Sequence, residues 1–266
     1  PGVALGWAQL ATVGAMFWSA DALANVVPFW PGQAVTGADI WSVFRVDALR
    51  ALYAVLPAPI FWGASFSLAL AAAAEDDRDT GDIVGRLYAA NTLGAIAGAL
   101  LASLVLVPLL GSQITQRIML AAALASGLLL LLRQLDTWAS RLPVHLAAIA
   151  TVLLIPVVPG VPGLLVAYGR HAANWVSRAG EIIYVGEGMH ASIAVSRSAD
   201  GVLSYHNAGK VQASSEPADM RLQRMLGHLT TLVPAKPRSV LVIGFGAGVT
   251  AGAVSVSPAV ERVTIV

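Results

Sequence analysis

The chain has 266 residues, 57% of them hydrophobic and only 12% charged, and its mean hydropathy is +0.73. That balance lies far outside an ordinary soluble domain, so most of the chain is expected in lipid. A net charge of +1 excludes a nucleic-acid surface, which needs a concentrated basic face, and the absence of cysteine excludes disulfides, thiolate zinc sites and a cysteine nucleophile. The chain begins at Pro1 with no basic segment ahead of an apolar run, so no intact signal peptide is read, and both ends read as cut.

Val3 to about Ala20 reads as a first spanning helix, with Gly6, Gly14, Trp7 and Trp18 in it. Asp21 to Asp47 reads as a mixed loop, in which Pro28 to Gly32 forms a turn with an interfacial tryptophan. Leu49–Ala74 is long enough to cross a bilayer, and Pro57 and Pro59 are expected to kink it. Glu75–Asp82 is the most charged run of this half and reads as a solvated loop. Ile83–Leu110 is the third span. Ala90, Gly94, Gly98 and Ala102 form a face of small residues on it that would let another helix pack backbone to backbone. Asn91 on the same helix needs a polar partner inside the bundle, as helix glue or as part of a pathway. Gln113–Leu132 makes a fourth span, and Leu142 to about Val166 an irregular fifth that carries Pro143, Pro156, Pro159 and Pro162.

Past Arg170 charges return and patterns of period two appear. Glu181–Val185, Ala191–Ser196 and Val202–His206 are predicted antiparallel strands, the last two joined by the turn Ser198 to Gly201. Pro217–Leu229 is a predicted helix, with Met220, Leu222, Met225, Leu226 and Leu229 as its buried stripe, and Ser214, Ser215 and Glu216 ahead of it read as its cap. Val240–Ile243 then reads as a strand buried on both faces. The turn Gly244-Phe245-Gly246-Ala247-Gly248 follows, then a helix to about Ser255 with its N-terminal end at the turn, and Val260–Val266 as the next parallel strand. The spacing is G-x-G-x-G, with Val249 where a dinucleotide fingerprint would have its third glycine, so the strand–turn–helix–strand order and not the motif alone points to a nucleotide-type cofactor.

The three histidines His190, His206 and His228 have no ligand spacing, and no metal is expected. His206, beside Asn207 near a turn, is the one candidate among them for a substrate contact. Arg221 and Arg224 read as solvated charge, or as recognition of an anionic substrate or of the membrane surface. No Ser-His-Asp arrangement can be composed.

Gly186 to Val195, Gly209 to Ser215, Asp219 to Leu229 and Ser239 to Thr250, in that order, resemble the polyamine synthase (spermidine synthase) family, in its branch with a synthase-like domain fused behind a membrane domain. Gly85 to Gly94 and Val107 to Gly111 resemble the transporter-like spans of those fusions. The resemblance implies a multi-span α-helical membrane domain over 1–166, a small antiparallel β domain over 167–216, and the start of a Rossmann-like α/β domain of methyltransferase type over 217–266. It implies an aminopropyl transfer in which decarboxylated S-adenosylmethionine, or S-adenosylmethionine itself, lies over Gly244, Phe245, Gly246, Ala247 and Gly248, with Gln212 as a further cofactor contact. Gln223 matches a polar position of the amine pocket, and the catalytic aspartate and the ribose-binding acid are expected beyond Val266.

The departures concern charge. Ala247 stands where the family has an aspartate, Leu222 and Arg224 flank Gln223 where it has tyrosine and glutamate, and Ala191 falls where it has a cofactor-binding glutamine. A dication needs carboxylates to replace its lost hydration, so the acceptor is a small amine or another molecule. A transport or sensing protein with a non-catalytic nucleoside-binding domain, and a transferase with a non-polyamine acceptor, are the alternative readings. The implied setting is a bacterial cytoplasmic membrane with the synthase-like domain in the cytosol, a lipid bilayer as partner, and a homo-oligomer formed through the β domain or the spans.

Overall fold

The computed structural model describes residues 1–30, 39–74 and 80–266, which fall into two compact units. The first is helical and covers 1–162 with 187–189; the second covers 163–186 and 190–266.

In the first unit α1 (Gly2–Asp21) continues through a wide helical turn at Ala22–Val26 and a tight one at Val27–Phe29. The widening precedes Pro28, which has no N–H to return to the carbonyl four residues back. The expected loop over Asp21–Asp47 is therefore partly helix, because α2 (Ile40–Val55) already starts at Ile40; the end of the Pro28–Gly32 turn lies outside the described residues. α3 (Pro57–Ala73) follows at an angle of 55°, so the kink expected at Pro57 and Pro59 is a full break at Leu56. Pro57 cannot donate to the Tyr53 carbonyl, and the Trp18 indole N–H does so instead at 2.9 Å.

Most of the charged run Glu75–Asp82 lies outside the described residues, but Asp82 belongs to α4 (Thr80–Leu101) and pairs with Arg86 at 3.0 Å. α4 passes through another widened turn, Ala102–Leu106, just ahead of Pro108, into α5 (Val107–Gln134). Gly111, at φ 81° and ψ 165°, breaks α5 at the point where two spans were expected to part. α6 (Trp138–Leu154) is capped by the Thr137 hydroxyl, which accepts the Ser140 N–H at 3.3 Å, and it ends before Pro156. The expected fifth span thus stops short of Val166. The carbonyls freed at that end are taken up by Arg117, at 2.8 Å from Pro156 O, and by Gln113, at 2.8 Å from Val158 O.

Among the described residues three helical stretches, 2–29, 81–134 and 138–157, are long and apolar enough to cross a membrane, and the bent pair α2–α3 makes a fourth if it is one span. About five were expected; the difference lies in 81–134, one stretch of 54 residues that Gly111 divides. The core of the unit is where α1, α5 and α6 meet, around Leu10, Val13, Leu120, Leu124, Leu131 and Val144. α4 takes no part in it, and no residue of its apolar stretch is buried.

The second unit opens with α7 (Gly163–Tyr168), followed by α8 (Ala172–Trp175) and a four-stranded sheet in the order β1-β2-β3-β4. Its strands are β1 (Glu181–Glu187), β2 (Ser192–Arg197), β3 (Leu203–Asn207) and β4 (Lys210–Ser214), with β2–β3 and β3–β4 antiparallel. The turn at 198–201 closes the β2–β3 hairpin as predicted, with the Gly201 N–H donating to Ser198 O at 3.0 Å. β4 was not predicted. Its hairpin turns on Ala208 and Gly209, both at positive φ (51° and 77°), the pair of left-handed residues that a two-residue turn requires. α9 (Pro217–Leu232) leads to β5 (Ser239–Val242), α10 (Val249–Ser255) and β6 (Arg262–Ile265), with β5 and β6 parallel and Val240 opposite Val263.

Most of the expected buried stripe of α9 is exposed, Met220 alone being half-buried. Leu222, Met225, Leu226 and Leu229 are each about half accessible or more, while the helix meets α10 through a narrow row spaced four apart, Gln223, Gly227 and Thr231. Gly227, not a large apolar side chain, sets that contact: a Cβ there would stand 2.6 Å from Thr250 O.

Candidate functional site

The strand β5 delivers the chain to the glycine turn, and the turn is held by the backbone. The Gly244 N–H donates to Val266 O at 2.7 Å, the Val266 N–H to Val242 O at 3.1 Å and the Gly248 N–H to Phe245 O at 2.9 Å. Gly244, Gly246 and Gly248 lie at φ 83°, 53° and 78°, so each alternate residue occupies the region that side chains disfavour. A Cβ built on Gly244 or Gly246 meets nothing within 4 Å, whereas one on Gly248 meets the Phe245 ring at 2.8 Å. The first two glycines border open space and the third makes room for Phe245. Phe245 and Ala247 are both exposed, and Ala247 brings no charge to the turn.

The other expected site residues divide. Gln223 stays close to the turn: its backbone carbonyl accepts the Thr250 hydroxyl at 3.0 Å, from the first turn of α10. Its side-chain amide, however, donates to Ser214 O at 3.3 Å and so fastens α9 to β4. Gln212 is exposed, at the point where β4 carries one residue more than β3: Tyr205 faces Ala213 and His206 faces Val211. Ser214, Ser215 and Glu216 serve the start of α9 differently from a simple cap. Glu216 holds the N-cap position without a side-chain bond, and the Ser214 N–H and hydroxyl both donate to Asp219, at 2.7 and 2.8 Å.

His206 is completely buried beneath α7, out of contact with solvent. Its Nδ1 lies 3.0 Å from Ala167 O, which can only accept, so Nδ1 carries the proton and Nε2 accepts from the Ser196 hydroxyl at 2.8 Å. The Tyr168 ring packs edge-on against it at 4.9 Å. Burial lowers its pKa below the usual histidine value, and the Ala167 carbonyl opposes that shift without reversing it. A depressed folded pKa means that the unfolded chain binds the proton more readily. The contribution to stability is therefore full above about pH 6.5 and is lost as pH falls toward the lowered folded value. Once intrinsic exchange is divided out, the protection of the β2 and β3 amides should fall as pH is lowered through that window, by at most about 1.4 kcal/mol per pH unit. His206→Gln should remove that slope, and an unchanged slope would assign the proton to another group.

Two positioning residues escaped the sequence reading. Gly227 lets α10 approach α9, since a Cβ there would stand 2.6 Å from Thr250 O, and Asp219 gathers the end of β4. An isolated glycine inside an otherwise helical pattern was the available signal for the first. His190 and His228 are exposed, and no group of three His, Cys, Asp or Glu side chains suited to a metal occurs among the described residues. Comparison with known proteins gives no match to a protein-family model, a curated protein or a solved structure.

Proposed function

We propose that the chain is a membrane-anchored transferase of spermidine-synthase type, in which decarboxylated S-adenosylmethionine or S-adenosylmethionine lies over Gly244–Gly248. The observation that carries the reading is the pair of parallel strands joined through three left-handed glycines, two of which border open space. Such a turn lets a ligand approach main-chain N–H groups that side chains would otherwise cover. The start of a Rossmann-like domain, with β5, α10 and β6 as its first unit, belongs to the same proposal, as does placement of the second unit in the cytosol of a bacterial cell. The enzyme's contribution would be to hold the acceptor in line with a carbon already activated by sulfonium, with a general base removing the proton of the attacking group.

Gly246→Val adds a branched side chain at φ 53°, in the space proposed for the cofactor. Calorimetry with S-adenosylhomocysteine and 5′-methylthioadenosine on the detergent-purified chain should show binding to the parent and at least a tenfold loss in the variant, worth about 1.4 kcal/mol. Equal affinity of parent and variant removes the cofactor assignment.

Ala247 favours a second reading, a transport or sensing protein whose nucleoside-binding domain does not catalyse, because the turn offers a cationic amine no carboxylate. In a protein that carries the expected catalytic aspartate, binding of the nucleosides without transfer from decarboxylated S-adenosylmethionine to putrescine would select it. Exposed Arg224 favours a third, a non-polyamine acceptor bearing negative charge, for which Arg224→Ala should weaken acceptor binding.

A further inference from the structure

The break between α2 and α3 leaves a recess in the first unit that the proposed transfer does not use. It has a volume of about 210 Å³ and lies among α1, the α2–α3 corner and α5. Its floor is closed by Ala58 and Leu120, 5% and 1% exposed, while Trp62 and Met119 at its rim are 48% and 40% exposed. The recess therefore opens outward from a set of helices apolar enough to stand in lipid.

Its polar groups are few and unspent. The Gln116 amide, half-buried in the wall, has no hydrogen-bond partner among the described residues, although Gln113 and Arg117 on the same helix spend theirs on the carbonyls at the end of α6. The Ser19 hydroxyl donates to Ala15 O at 3.0 Å and keeps lone pairs free to accept. Val55 and Pro59 line the recess and face the same defect: Pro59 has no N–H for the Val55 carbonyl, so that acceptor loses its helical donor. An amide and a carbonyl left without partners in an apolar setting cost free energy that a ligand can recover. No charged side chain lines the recess, which excludes an ionic ligand.

We infer that this recess binds a small neutral amphiphile of the alcohol class, which enters from the bilayer. The hydroxyl would accept from the Gln116 amide and donate to the Val55 carbonyl or the Gln116 oxygen, and the hydrocarbon part would lie against Trp62 and Leu120. Scaled from a 150 Å³ cavity that holds benzene, the volume suits roughly eight to ten non-hydrogen atoms.

The test is photolabelling of the full chain in detergent with a diazirine derivative of octanol, read by mass spectrometry of its peptides. Label should concentrate on peptides carrying Met16, Trp62 or Met119, and excess unlabelled octanol should suppress it. Gln116→Leu keeps the bulk and removes the amide; it should lower labelling about fivefold with the thermal midpoint unchanged. Ala58→Phe should abolish labelling by filling the floor, and if that variant is unstable Gln116→Leu decides alone. Label spread along α4, label indifferent to octanol, absence of label because another copy or helix covers the rim, or full labelling of Gln116→Leu would each overturn the inference.

Discussion

Gly127→Ile should lower the thermal midpoint of the detergent-solubilised chain by roughly 5–10 °C, whereas Gly94→Ile should leave it unchanged or slightly raised. A Cβ on Gly127 would stand 2.9 Å from Leu10 Cδ2 and 3.2 Å from the Gly6 carbonyl oxygen, so α1 and α5 touch almost backbone to backbone there. Gly6 makes the reciprocal approach, its Cβ position lying 2.5 Å from Leu131 Cγ. A branched side chain cannot enter without forcing the helices apart through the core, and overpacking of this kind costs about 1–3 kcal/mol or more. For a chain of this size each 1 kcal/mol moves the midpoint by roughly 2–4 °C. At Gly94 a Cβ meets nothing within 4 Å, and the substitution removes a poor helix former from an exposed helix. Equal losses in the two variants would mean that the Gly94 face is covered in the folded protein, as the small-residue pattern suggested.

That contrast shows what the residues made legible and what they did not. Gly94 and Gly98 were conspicuous because their spacing lies on one helix, yet α4 packs on little else; Gly6 and Gly127 carry the close packing and lie 121 positions apart, where no local pattern connects them. The break after α2 was readable at Pro57, because loss of a donor is a local rule, whereas Pro156, which follows the end of α6, was read as an irregularity inside a longer span. The glycine turn was readable for the same reason, since alternate glycines after an apolar strand permit the left-handed residues found there. β4 was missed because its turn uses Ala208 before Gly209, where asparagine would have announced it. The burial of His206 depends on α7, nearly forty residues earlier, supplying the Ala167 carbonyl, and a histidine on an alternating strand does not reveal which side will be covered.

Gly227→Val should detach α10 from α9 and cost about 2–4 kcal/mol of local stability, an overpacking penalty raised because the obstacle is backbone. The added Cβ would stand 2.6 Å from Thr250 O, 2.7 Å from Ala253 Cβ and 3.2 Å from Val254 N, so no change of rotamer relieves it. Hydrogen exchange should show the loss directly, as faster exchange of the α10 amides, with those of α1 and α5 unaffected. Because Thr250 also bonds the Gln223 carbonyl and stands two residues past Gly248, displacement of α10 moves the glycine turn. If the turn holds an adenosyl ligand, nucleoside affinity should fall along with α10 protection, even though Gly227 is no part of the proposed contact. Gly227→Ala grades the effect: it places the same Cβ without branches, and its exchange rates should lie between those of the parent and the valine variant. Protected α10 amides in the valine variant would show that the two helices separate without loss of order, and that α10 is held by β6 alone. Faster exchange with unchanged nucleoside affinity would detach the cofactor proposal from the glycine turn while leaving the packing account in place.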